Sequence, residues 1–174
     1  MIRPSITVAV EGQVDATVVN RLCVLSGIEI LHTYNAHGVS NLDRQIAGYN
    51  RAAQHSGWFV LRDLDRAECA PALARRLLPA PAERICFRIA VREVEAWLLA
   101  DRNGIAGFLG VSHARIPPMP EQLPDPKSSL VAAARRSRSR TVRDDLVPRP
   151  GSGRSVGPGY VAMIAETGYP RRSG

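Results

Sequence analysis

Lysine is almost missing from this 174-residue chain: of 23 basic residues only Lys127 is a lysine. Aromatic residues make up only 5%. There are three cysteines, Cys23, Cys69 and Cys86, and none forms a Cys-x-x-Cys pair. The four histidines, His32, His37, His55 and His113, show no His-x-x-x-His spacing. A zinc ribbon, a disulfide framework and a dithiol redox motif are therefore excluded, and the cysteines read as buried reduced thiols. The Gly-x-x-x-x-Gly-Lys-Ser/Thr and Gly-x-Gly-x-x-Gly phosphate loops and the Gly-x-Ser-x-Gly elbow are absent too, which disfavours nucleotide cradling and serine hydrolysis by those routes. No apolar run approaches the roughly 20 residues that cross a bilayer. The first apolar run is cut off by Glu11 and Gly12 before it could serve as a secretory signal. A cytoplasmic location with no membrane association is the expectation.

The charge that is present is segregated. Residues 1–126 hold thirteen arginines against thirteen acids, whereas residues 127–174 hold ten basic residues against three acids and so carry the whole formal charge of +7. A neutral body with a basic tail suits a polyanionic partner, held by its phosphates.

Over the first hundred residues strand-like and helix-like segments alternate. Strands are expected at residues 5–10, 28–34, 58–64 and 85–91. Helices are expected at 15–25, 41–55, 71–78 and 93–100. Asp15 is the expected cap of the first helix, with Val14, Val18, Val19, Leu22 and Leu25 on its inner face. The inner face of the second helix is Leu42, Ile46, Tyr49 and Ala53. Such a βα alternation predicts an α/β, Rossmann-like fold of about four parallel strands with helices on both faces. Five prolines between Pro117 and Pro126 predict an extended, non-helical linker. The expected organisation is an α/β domain over 1–111, a Pro-rich linker over 112–126, and a basic, mostly helical extension over 127–174. In that extension a helix over 128–138 turns Leu130, Val131 and Ala134 inward and Arg135, Arg136 and Arg138 outward.

Acids stand where the strands end. Glu11 follows Ile6-Thr7-Val8-Ala9-Val10, Asp63 and Asp65 follow Trp58-Phe59-Val60-Leu61-Arg62, and Glu93 and Glu95 follow Ile89-Ala90-Val91-Arg92. In a parallel sheet these positions share the end at which ligands bind. If the third strand stays regular, Asp63 and Asp65 share a face and Leu64 points into the core. Like charges that close need shared protons or a cation, and hard carboxylate oxygens suit Mg²⁺ or Mn²⁺. Glu93 and Glu95 open a helix, where acids are favoured in any case. Only one of the two is expected to reach the site, and Glu95 is the better placed.

Val10-Glu11-Gly12 together with Val60-Leu61-Arg62-Asp63-Leu64-Asp65 resembles the Toprim domain, the catalytic module of topoisomerases, primases and overcoming-lysogenization-defect nucleases. More narrowly, the chain is similar to the Toprim-like bacterial family called domain of unknown function 4276. The narrower resemblance rests also on Gly48-Tyr49-Asn50, on Glu93-Val94-Glu95-Ala96-Trp97-Leu98-Leu99-Ala100-Asp101, on Asp125-Pro126-Lys127 and on Val156-Gly157-Pro158-Gly159-Tyr160. The resemblance implies that Glu11 is a general acid/base or metal ligand and that Asp63 and Asp65 bind Mg²⁺. Glu95 would complete the metal shell, with Glu93 and Asp101 as further candidates. Lys127 would be a phosphate contact, and the outward Arg135, Arg136 and Arg138 of the basic extension are expected, on their charge, to contact phosphates too. It also implies phage-defence settings with a partner ATPase. Two functions follow as expectations: a Mg²⁺- or Mn²⁺-dependent nuclease, or a non-catalytic metal- and nucleic-acid-binding subunit of a larger complex. A small-molecule phosphotransferase on the same acids is a third.

Overall fold

The structure, a computed structural model, describes residues 3–67 and 69–167. The chain divides into two compact units, Met1–Val91 and Arg92–Gly174.

The first unit is an α/β layer built on one sheet of four parallel strands. These are β1 (Ser5–Val10), β2 (Glu29–Asn35), β3 (Trp58–Asp63) and β4 (Ile85–Ala90). Three helices connect them: α1 (Gln13–Leu25), α2 (Val39–Ala52) and α3 (Ala70–Leu77). The spatial order is β2-β1-β3-β4. The chain therefore steps to one side after β1 and to the other side for β3 and β4. The reversal lies between β1 and β3, which run in register from Thr7↔Trp58 to Val10↔Leu61.

The two central strands are mostly apolar, as strands covered on both faces are. Val8, Ala9, Val10, Val60 and Leu61 are all fully buried. The inner face of α2 is as expected, with Leu42, Ile46, Tyr49 and Ala53 buried. That of α1 is not: Val18, Val19 and Cys23 are buried, but Leu22 and Leu25 are 44% and 65% exposed. Helix α1 packs on β1 and on the edge strand β2, whose residues are mostly exposed. Little apolar surface remains there for its last turn to meet.

Among its described residues the second unit contains helices and no strand. It holds α4 (Val94–Ala100), α5 (Arg102–Leu109), α6 (Pro126–Ala134), α7 (Arg140–Leu146) and α8 (Tyr160–Glu166), with short 3₁₀ turns at His113–Arg115 and Pro120–Gln122. Leu99, Leu109, Ile116, Leu130, Leu146 and Tyr160 form its fully buried centre.

The expected boundaries at 111 and 126 need correction. The Pro-rich stretch is not a free linker, because Ile116 is 1% exposed and Pro120 is buried. Nor do the prolines exclude helix. Pro120 and Pro126 each open a helical turn, where the missing N–H costs nothing.

Candidate functional site

Glu11 is the first residue after β1, at the side of the sheet where the strand order reverses. The Gly38 N–H donates to the Glu11 carbonyl at 3.0 Å, and the Ala36 N–H donates to that of Val10 at 2.9 Å. The loop between β2 and α2 thus ties down the end of β1. One oxygen of the Glu11 carboxylate, Oε2, is buried and has no hydrogen-bond partner among the described residues. Burial first, then the charges of Asp65, Asp15 and Asp43, push this carboxyl up to about 7, with Arg62 pulling the other way.

Asp15 is not the cap of α1. It sits in the first turn and accepts a 2.8 Å hydrogen bond from the Gly12 N–H, so Gly12 takes the cap position. Asp15 and Glu11 are therefore both held near the same helix start.

Asp63 is the last residue of β3, paired with Ala90 of β4. Leu64 is 4% exposed, as expected, and its N–H donates to the Ala90 carbonyl at 2.7 Å. Asp65 then turns into the left-handed region at φ 51°. The strand does not stay regular, so Asp63 and Asp65 do not share one strand face. Aspartate tolerates this backbone better than most residues, and the turn delivers Asp65 to Arg62.

Arg62 and Asp43 are the residues that sequence reasoning missed. Arg62 is 8% exposed. Its Nε and Nη2 each lie 3.4 Å from an oxygen of Asp43 on α2, a two-point pairing. Its Nη1 lies 3.1 Å from Asp65 Oδ2 and also donates to the Asp63 carbonyl. An arginine on a buried strand between apolar residues and acids must find acceptors, and that was the available signal.

A divalent ion is the group that these acids imply. Among the described residues, no three His, Cys, Asp or Glu side chains are grouped closely enough to hold one. A closed protein cage is thus not what this end of the sheet provides. Mg²⁺, however, is usually held by one or two carboxylates, with water and substrate phosphate completing its shell. The unsatisfied Glu11 oxygen and the hard oxygens of Asp63 and Asp65 fit that more open mode.

The remaining sequence candidates belong to the second unit, where three sequence blocks meet. Glu95 on α4 is 1% exposed, and its Oε1 accepts a 3.0 Å hydrogen bond from the Tyr160 hydroxyl. The Lys127 ammonium lies 3.4 Å from Glu93 Oε1 and 3.7 Å from Glu95 Oε1, and the Lys127 N–H donates to Glu93 Oε2 at 3.2 Å. Burial raises the Glu95 carboxyl, with Glu93 adding to the rise, while Lys127 and Tyr160 work against it. Burial and the Glu95 charge push the Tyr160 phenol far up.

The flanking residues explain this convergence. Asp125 caps α6 by accepting from the Ser128 N–H and hydroxyl, both at 2.7 Å, which sets Lys127 in the first turn. Those bonds hold the Asp125 carboxyl below its usual range. Gly157 and Gly159 press against the end of α7: a Cβ on Gly157 would fall 2.3 Å from the Asp145 carbonyl oxygen, and one on Gly159 would fall 2.6 Å from Asp145 Cβ. Only residues without a Cβ allow this approach, and it delivers Tyr160 to Glu95.

Asp101 caps α5 through the Gly104 N–H at 3.0 Å. Arg135, Arg136 and Arg138 are exposed, as expected. They follow α6 instead of lying on it, because that helix ends at Ala134. Lys127 is engaged by Glu93 and Glu95, with its side chain 33% exposed.

Among the described residues no helix is long and apolar enough to cross a membrane. Comparisons with protein-family models, with curated proteins and with solved structures gave no match.

Proposed function

We propose that this chain is a Mg²⁺- or Mn²⁺-dependent phosphoryl-transfer protein acting on nucleic acid, a nuclease of the Toprim-like kind that its motifs resemble. The observation that carries this reading is Glu11: a half-buried carboxylate with one unsatisfied oxygen at the switch point of a parallel sheet, which burial and the neighbouring acids push up to about 7. A general acid/base works best when its pKa lies near the working pH. Glu11 can therefore take a proton from an attacking water or return one to a leaving oxygen. Asp63 and Asp65 would hold the divalent ion, with Glu11 beside them to move the proton; the ion, when bound, would neutralise phosphate charge and orient the phosphodiester. Exposed Arg135, Arg136 and Arg138 supply phosphate contacts that do not depend on base sequence. Phage defence and a partner ATPase go with the resemblance and stand on it alone, and a cytoplasmic site of action is proposed beside them.

The test is direct. The purified chain is incubated with labelled single- and double-stranded DNA and RNA, with Mg²⁺, with Mn²⁺ or with chelator, beside Asp63→Ala. Metal-dependent cleavage that the variant loses supports the reading. Cleavage that persists unchanged in the variant refutes it.

One observation favours a second reading, a non-catalytic metal- and nucleic-acid-binding subunit. Asp43 and Asp65 are already paired with Arg62, and no three-carboxylate group forms among the described residues. Metal-dependent binding without cleavage would select it.

A further inference from the structure

Arg62 is an unusual neighbour for a site that is to hold a divalent cation. Its guanidinium lies among the same acids, is permanently charged, and is nearly closed off from water. It makes two classes of contact. The pairing with Asp43 uses two nitrogens and both carboxylate oxygens, each at 3.4 Å, a two-point geometry that orients the guanidinium. The contact with Asp65 uses one nitrogen and one oxygen, and the Asp65 side chain is 43% exposed. Asp65 also stands on a left-handed backbone position beyond the end of β3. The two acids share one guanidinium, and Asp65 is the more exposed of them and the one an incoming ion can reach.

We propose that Arg62 is the resident cation of this site: it neutralises Asp65 in the metal-free protein and yields that carboxylate when a divalent ion binds, so that it sets the ion's affinity. The inference rests on the phosphoryl-transfer reading, because it takes Asp65 as a metal ligand. Arg62 acts through Asp65 and is a positioning residue. The groups that face it are Asp43 from α2, Asp65 and the Asp63 carbonyl from its own strand end, and Glu11 from the end of β1, whose carboxyl its charge pulls down. Asp43 holds the guanidinium away from full engagement with Asp65. Weakening that anchor frees Arg62 to compete harder. Removing the guanidinium abolishes the competition.

The two substitutions therefore act in opposite directions, whereas mere damage to the fold would weaken metal binding in both. Asp43 and Asp65 are 26% and 43% exposed and stay hydrated without the arginine, so Arg62→Gln leaves no buried charge unpaired. Arg62→Lys keeps the charge.

The experiment is calorimetric titration of the full chain with Mn²⁺ alone, with far-ultraviolet circular dichroism to verify folding. Removing a positive charge from beside a divalent ion predicts binding at least about tenfold tighter in Arg62→Gln. Arg62→Lys is expected to stay close to wild type, and Asp43→Asn to bind several-fold more weakly. Equal or weaker binding in folded Arg62→Gln overturns the inference and leaves the functional reading standing, since the wild-type titration reports on that reading separately. If the wild type itself takes up no Mn²⁺, both fail together. Should Arg62→Gln not fold, Asp43→Asn decides: weaker binding supports the inference and unchanged binding overturns it.

Discussion

The Tyr160 hydroxyl and the Glu95 carboxylate meet at 3.0 Å with both side chains sealed from solvent, at 2% and 1% exposure. They lie 65 residues apart in sequence, so the bond closes the second unit on itself. Tyr160→Phe keeps the ring and removes only the donor. A buried carboxylate oxygen then loses its partner, which costs about 1–3 kcal/mol. Urea unfolding should show that loss, and an unchanged midpoint would mean that the bond contributes nothing.

The two glycines ahead of Tyr160 are there for room. Gly157→Ala places a methyl 2.3 Å from the Asp145 carbonyl oxygen, and backbone cannot step aside as a side chain can. A destabilisation of about 2 kcal/mol is expected, typical of overpacking. Gly107 is the internal contrast: it lies in α5 and a Cβ there meets nothing within 4 Å. Gly107→Ala should stabilise by about 0.5–1 kcal/mol through helix propensity. The same pair of denaturation curves reads both outcomes, and shifts of the same sign would contradict the steric account.

Glu11 should make stability fall as pH rises. Its carboxyl is moved from the ordinary 4.5 up to about 7, so the folded protein holds this proton more tightly than the unfolded chain does. The resulting stabilisation is complete below 4.5 and is lost as pH passes through about 7. Because the side chain is only half-buried, the expected size is on the order of 1–2 kcal/mol. Glu11→Gln, which cannot ionise, should lack this slope in chelator-containing buffer. A variant with the full wild-type slope would place the effect elsewhere.

The exposed arginines after α6 make a prediction about salt. In duplex DNA each phosphate contact contributes about 0.9 to the slope of log affinity against log salt. Replacing Arg135, Arg136 and Arg138 together by alanine should reduce that slope by up to about 3. Binding should weaken to a similar degree on every sequence, because phosphate contacts carry no base information. An unaltered slope would remove these residues from the interface.

Much of the first unit was legible because its signals are local. Ser5–Val10 and Ile85–Ala90 are short apolar runs between turn residues, and Leu42, Ile46, Tyr49 and Ala53 recur at helical spacing on a face that is buried as expected. The acids at the strand ends were visible for the same reason. Their pairings were not. Arg62 reaches Asp43 across 19 residues and Lys127 reaches Glu93 across 34, and nothing in the local pattern distinguishes a metal ligand from a member of an ion pair. Helix α7 escaped notice because only Val142 and Leu146 of its seven residues are buried, too few to set a period. The Pro-rich stretch misled because proline excludes helix interiors but favours helix starts. The regularity assumed for Asp63 and Asp65 failed at a backbone turn that the residue types alone do not announce.

The most direct measurement compares the cleavage rates of Glu11→Gln and the wild-type chain on the same labelled polynucleotide, at saturating Mg²⁺ or Mn²⁺ and near neutral pH. If Glu11 moves the proton in phosphodiester cleavage, the variant should lose at least about a hundredfold in rate while retaining its fold and its affinity for nucleic acid. Cleavage by folded Glu11→Gln at the wild-type rate would contradict the account.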